Sequence, residues 1–169
     1  VDGFGGDSGS FVLKLLSTIG PQVIYSTSFE ATQGFSTALP LTGQNGWQKF
    51  GSGGNGIVNG VFSDFGQQAY VGVTAPLFGD DSLFVWQPVN FTPQTASRPV
   101  IRFSVVMAIV DSANFEYDNF DWQVFDIAGN RLFTLNFDNS DLNIYYRLND
   151  TSGFHLTGAS FENGRIYEL

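Results

Sequence analysis

An all-β fold, two antiparallel sheets packed face to face, is what the 169-residue sequence predicts. Three observations carry the prediction. Helix signals are nearly missing. β-Branched and aromatic residues, among them 18 Phe, are punctuated at short intervals by Gly, Asn and Asp. Several segments alternate apolar and polar residues with the period of two that a half-buried strand requires.

The elements follow in chain order. "VDGFGGDSGSFVLKLL" is a Gly-rich loop leading to a short strand over 10–16, and "STIGPQ" is a linker. Strands are predicted over 23–29, 56–62, 68–73 and 82–88. Asn45-Gly46, Asn55-Gly56, Asn59-Gly60 and Asn163-Gly164 are tight-turn candidates, because Asn and Gly both tolerate positive φ. The clearest strand is 100–110. Ile101, Phe103, Val105, Met107 and Ile109 share one face; Arg102, Ser104, Val106, Ala108 and Val110 share the other. This is the pattern of a central strand in a packed sheet. A meander follows: 120–125, the turn "DIAGN", 131–137 with Phe133, Leu135 and Phe137 on one face, the turn "DNSD", and 142–148. In that last strand Leu142, Ile144, Tyr146 and Leu148 alternate against Asn143, Tyr145 and Arg147. Two further strands are expected at 154–156 and 165–169.

Composition narrows the classes. The length suits one domain, and 43% hydrophobic residues is too apolar for a disordered chain. The longest apolar run, "SVVMAIV", is far below the ~18 residues of a membrane helix, so no membrane insertion is expected. The formal net charge is −9, with only 7 scattered Lys and Arg. Nucleic acid and anionic membranes both need clustered cations, so neither is an expected partner. Cysteine is absent, which removes disulfide and thiolate chemistry and fits secreted bacterial β-proteins. The absence of a starting Met and of a signal peptide suggests a mature or excised piece. Asn90-Phe91-Thr92 and Asn149-Asp150-Thr151 match the glycosylation sequon, a signal with meaning only in a eukaryotic secretory pathway.

"SFEATQGFSTALPLTGQNGWQKFG", with its Gly43-Gln44-Asn45-Gly46-Trp47 motif, resembles the opening of secreted bacterial domains of the concanavalin A-like lectin/glucanase superfamily, LamG-like members included. "GIVNGVFSDFGQQAYVG", "RPVIRFSVVMAIVDS" and "NFDWQVFDIAGNRLFTLNFDN" are similar to the strands that follow in that family. The resemblance covers roughly 26–169 and supports fold better than function. It implies a jelly-roll sandwich that binds or cuts glycan on a concave sheet face or its rim. Two departures matter. The chain stops at "GRIYEL", where family members continue, which leaves the 26–169 domain open to being incomplete. "VDGFGGDSGSFVLKL" looks like the end of a separate β-sandwich of the pre-peptidase C-terminal type, so 1–25 is expected to be an N-terminal strand and linker from a preceding domain. That strand is also a candidate to fill a sheet edge in its own chain or a neighbouring copy.

Four groups of residues are candidates for chemistry. Glu116, Asp118 and Asp121 stand at E-x-D-x-x-D spacing, one methylene short of the E-x-D-x-x-E pattern of some β-sandwich glycanases. A retaining glycosidase needs two carboxyls about 5–5.5 Å apart. In a regular strand Asp121 points away from Glu116 and Asp118; only a β-bulge would unite them. Otherwise Phe120, Trp122 and Val124 form a core stripe. Trp47, Trp86, Trp122, Tyr70, Tyr117, Tyr145 and Tyr146 offer flat faces that could stack on sugar rings. Against that, a Phe-rich sandwich buries most of its aromatics. Trp122 is expected in the core, and Trp47 as a structural plug. Tyr145, beside Asn143 and Arg147, is the aromatic best placed for exposure. "GDDS", "DNSD" and "LNDTS" hold oxygen ligands for calcium, although none has the spacing of an EF-hand loop and ordinary turn chemistry explains them. His155, the single histidine, lacks cysteine partners for zinc and a G-x-S-x-G elbow for a triad.

The expectation is a non-catalytic carbohydrate-binding or adhesion module of a secreted or surface bacterial protein. Glycan would contact Trp86, Tyr117, Asp118, Tyr145 and Arg147, with calcium as a candidate cofactor. The alternatives are a structural subunit or spacer of an extracellular fibre, associating through sheet edges, and a glycanase using Glu116 and Asp121.

Overall fold

The computed structural model describes residues 16–17, 20–21, 23–72, 77–80, 82–90, 102–110, 118–149 and 152–169. These are all-β, with twelve strands and one 3₁₀ turn, Ala31–Gln33. Every strand pair is antiparallel. The chain divides into two compact units, one formed by 14–100 and the other containing 101–169. Most of the predicted strand at 10–16 lies outside the described residues.

In the 14–100 unit, β1 (Leu16–Ser17) pairs with β2 (Gly20–Pro21), from the last residue of the strand expected over 10–16 into the segment expected to be a linker. The strand expected at 23–29 does not form. Phe29 has a φ of 60°, outside the extended region. The reason is local: Gln33 Oε1 accepts hydrogen bonds from Thr27 Oγ1, the Ser28 N–H and hydroxyl, and the Glu30 N–H. These bonds wrap the segment onto the 3₁₀ turn instead of leaving its amides for a ladder. Four strands then form two antiparallel pairs. β3 (Gln48–Phe50) pairs with β6 (Phe84–Trp86), and β4 (Gly54–Asn59) with β5 (Gln67–Gly72). At three residues, β3 is too short to show a period and was not legible as a strand. The core here is Phe35, Leu41 and Ile57, with Phe29, Trp47, Ala69 and Val85 packed around them.

The Gly43–Trp47 motif is a turn built around one amide. Gln44 is buried; its Oε1 accepts from the Ser36 N–H at 2.7 Å, and its Nε2 donates to the carbonyls of Pro40, Ser36 and Leu39. Asn45 and Gly46 both take positive φ, as a tight Asn-Gly turn requires. Trp47 is the plug expected of it, packing on the core while its Nε1–H donates to the Tyr25 hydroxyl at 3.1 Å.

Asn55-Gly56 is not a turn. It lies inside β4, where the buried Asn55 Oδ1 accepts from the Thr42 N–H and hydroxyl. Gly56 is paired with Tyr70, and a Cβ there would stand 2.8 Å from the Tyr70 ring. The glycine serves close approach, not positive φ.

In the 101–169 unit, β8 (Asn119–Phe125), β9 (Arg131–Asp138), β10 (Asn143–Leu148) and β11 (His155–Ser160) form one sheet in the order β11-β10-β9-β8. β7 (Val106–Ala108) and β12 (Ile166–Glu168) form a two-stranded ribbon. The ribbon covers one sheet face. Ile109, Leu135, Phe137, Ile144, Phe161 and Leu169 make the buried cluster, with Met107, Phe120, Trp122 and Tyr146 against it. Phe137 meets Phe161 edge-to-face at 5.6 Å between ring centroids. Trp122 joins this core as expected, its Nε1–H donating to the Met107 sulfur at 2.9 Å.

The predicted central strand over 100–110 is corrected. Among the described residues 102–110 its regular part is Val106–Ala108, extended by paired backbone bonds between Val105 and Leu169. Its alternation holds, with Ile109 buried and Val105 and Met107 against the core. Its other face is solvent-facing, with Val110 exposed. The meander matches its prediction apart from its ends. β10 starts at Asn143 because Leu142 sits at φ 60°, and β11 runs on to Ser160 where 154–156 was expected. The "DIAGN" turn is held by Asp126 Oδ1, which accepts from the N–H groups of Ala128 and Asn130.

Phe137→Ala is expected to cost about 3–5 kcal/mol, because a wholly enclosed ring leaves a cavity that the two layers cannot close. Urea unfolding checks it, and a change under 1 kcal/mol would contradict the packing described. Gly56→Ala is expected to destabilise the protein, and Tyr70→Ala in the same chain to relieve that clash. Additive effects in the double-mutant cycle would deny the contact.

Candidate functional site

The four-stranded sheet has a second face, opposite the core. Strand alternation places Asn119, Asp121, Gln123 and Phe125 of β8 on it, with Thr134 and Asn136 of β9 and Asn143, Tyr145 and Arg147 of β10. Cross-strand pairing sorts them into rows. Asp121, Asn136, Tyr145 and Leu156 form one; Gln123, Thr134 and Arg147 form the next. Asp121, Phe125, Phe154 and Leu156 are exposed, while the central-strand residues Thr134 and Asn136 are buried.

Hydrogen bonds fix the first row. Asn136 Nδ2 donates to Asp121 Oδ1 at 2.7 Å and to Asn119 Oδ1 at 3.1 Å. Gln123 Nε2 donates to the other Asp121 oxygen at 2.8 Å. The Tyr145 hydroxyl donates to Asp141 Oδ2 at 2.6 Å, which holds the ring by its polar end. That bond, then the bonds from Asn143, keeps the Asp141 carboxyl below its ordinary range. The same bond from Tyr145 to Asp141 raises the Tyr145 hydroxyl above its ordinary range. In the second row the Arg147 guanidinium lies over the Phe154 ring, 5.9 Å from its centroid.

Of the residues singled out from sequence, Tyr145 and Arg147 are brought together on this face, and Asp121 with them. Trp86 is a partly exposed residue of β6 and belongs to the other unit. Asp118 is exposed just before β8, where its carbonyl accepts from the Asn139 N–H. Glu116 and Tyr117 lie outside the described residues. Pairing from Asn119 to Val124 is regular, so no bulge turns Asp121 toward the Phe120 face. Asn136, Gln123, Thr134 and Phe154 were missed. The signal was present for Thr134 and Asn136, which are the other half of the Phe133, Leu135, Phe137 alternation.

Described carboxylates of the oxygen-rich loops accept bonds from backbone N–H groups and hydroxyls. Asp138 Oδ1 accepts from the Ser140 N–H and hydroxyl, Asp141 Oδ1 from the Asn143 N–H, and Asp80 Oδ2 from the Ser52 N–H. Among the described residues no three His, Asp or Glu side chains converge as a metal site would need. "GDDS" and "LNDTS" are described only in part. His155 is stacked beside Tyr146 at 5.3 Å, with Ser152 Oγ 2.7 Å from its Nε2.

The Tyr145–Asp141 bond makes a pH prediction. A depressed carboxyl contributes stability that is present above its ordinary value of 3.8 and is lost as pH falls through the folded value. A raised phenol contributes stability that is present below its ordinary value of 10.0 and is lost as pH rises through the folded value. Asp141→Asn is expected to flatten both limbs of the melting-temperature profile and to return the Tyr145 titration, followed by NMR, towards 10.0. An unmoved titration would deny the bond. No family model, curated protein or solved structure matches this chain, so the functional reading rests on its own residues.

Proposed function

We propose that the polar face of the β8–β11 sheet is a carbohydrate-binding surface, and that the protein is a non-catalytic binding or adhesion module of a secreted or surface bacterial protein. The observation that carries the reading is the meeting of Tyr145, Arg147 and Phe154 with Asp121, Gln123 and Asn136 on one sheet face. Sugar rings present apolar CH faces and a rim of hydroxyls. A rigid aromatic beside amides and a carboxylate held by neighbouring bonds matches both requirements at little ordering cost. The absence of cysteine and the net charge of −9 suit the same habitat. A concanavalin A-like jelly roll remains the architecture proposed for the whole, on the resemblance of 26–169.

Asp121 is given no catalytic step. Both its oxygens accept bonds from Asn136 and Gln123, an arrangement that serves to hold a binding surface. Binding to a panel of plant, algal and bacterial polysaccharides, measured by glycan array and calorimetry with and without calcium, tests the proposal. Tyr145→Ala is expected to lower affinity about three- to tenfold, the worth of one aromatic contact, while the protein stays folded. No binding across the panel would end the proposal.

A further inference from the structure

The Asn-Gly pairs of this chain carry a chemistry of their own. We propose that Asn59-Gly60 is a modification site, where the Asn59 side chain deamidates without an enzyme and leaves aspartate and isoaspartate at the end of β4. The site belongs to the 14–100 unit and does not involve the polar face of the β8–β11 sheet.

The Gly60 backbone nitrogen is the nucleophile and Asn59 Cγ the carbon attacked. A C–N bond forms, the side-chain nitrogen leaves as ammonia, and a cyclic succinimide closes. Water then opens the ring. Attack at the Cγ carbonyl gives aspartate. Attack at the backbone carbonyl gives isoaspartate, with the main chain running through Cβ and Cγ. In sum, an amide and a water become a carboxylic acid and an ammonia. Closure needs a side-chain amide that can move, a neighbouring N–H that is not held, and a backbone that can turn. Glycine suits the last need because it brings no Cβ against the turning chain.

The same dipeptide occurs at Asn45, Asn55, Asn59 and Asn163, and the structure restrains the other three pairs. Asn55 is buried within β4, where its Oδ1 accepts from the Thr42 N–H and hydroxyl. Asn45 Nδ2 donates to the Gln33 carbonyl at 3.0 Å, and a Cβ on Gly46 would stand 3.4 Å from Gln87 Nε2. Asn163 Nδ2 donates to Asn139 Oδ1 at 2.8 Å, and the Gly164 N–H donates to the Ile109 carbonyl at 2.7 Å. Asn59 is exposed, and Gly60 sits at φ 77°. Among the described residues the Asn59 side-chain amide has no partner and the Gly60 N–H makes no turn bond. No atom beyond its chain neighbours stands within 4 Å of where a Gly60 Cβ would lie, so the ring has space to close. The change is felt locally. Isoaspartate puts an extra methylene into the chain two residues before Val61, whose N–H donates to Gln68 Oε1 at 3.1 Å, and either product adds a negative charge.

Native protein held at mildly alkaline pH, then digested and followed by mass spectrometry, tests the site. Chromatography separates the aspartyl and isoaspartyl peptides from the asparaginyl one. The rate at each pair is divided by its rate in urea-unfolded protein, which cancels the effect of flanking sequence. Asn59 is expected to convert about three- to tenfold faster than Asn45 or Asn163, the effect of one hydrogen bond on the amide, with Asn55 slowest. Asn59→Gln is expected to remove the main acidic form seen by ion exchange, and Gly60→Ala to slow its appearance. Equal normalised rates at Asn59 and Asn163, or an acidic form that persists in Asn59→Gln, overturns the site. So does an Asn59 that stays intact in the folded protein while its unfolded counterpart converts. If Gly60→Ala melts early, Asn59→Gln carries the test by itself.

Discussion

The middle of strand β9, Thr134 to Phe137, is buried on both faces, and the 101–169 unit depends on that constraint. Leu135 and Phe137 are buried on one side, Thr134 and Asn136 on the other. Side chains alternate with a period of two, so a slip of one residue would push Asn136 into the aromatic cluster and Phe137 onto the polar face. The Asx turns at Asp126 and Asp138 hold the two ends of the strand in that register. The β7–β12 ribbon can pack only because Leu135 and Phe137 then face it together with Ile144.

The 14–100 unit solves the same problem with amides. Among its described residues the buried apolar set is small: Phe35, Leu41 and Ile57. Its irregular segments are held instead by side chains with several partners: Gln33 for 27–30, Gln44 for 36–40, Asn55 for Thr42, and Gln68 for the loop between β4 and β5. A buried amide stabilises only when its donors and acceptors are met, and there most of them are. The Gly43–Trp47 motif, which carried the resemblance, is explained by this role alone. Glycine and asparagine supply the turn, glutamine the hub, and tryptophan the plug.

The all-β class, the meander and the Phe133, Leu135, Phe137 stripe were legible in the sequence by itself. Each rests on alternation, which is a property of adjacent residues. The turns at 126–130 and 138–141 were legible for the same reason, since an Asx turn closes within a few residues. The failures share an opposite cause. Residues 23–29 read as a strand, yet the Gln33 side chain captured their amides. Asn55-Gly56 read as a turn, yet Thr42 and Tyr70 claimed it for a strand interior. The candidate site followed the same division. Tyr145 and Arg147 were visible as the polar side of one strand. Which residues join them was decided by pairing across β8, β9 and β10, because backbone hydrogen bonds between distant segments set register and no local pattern records them.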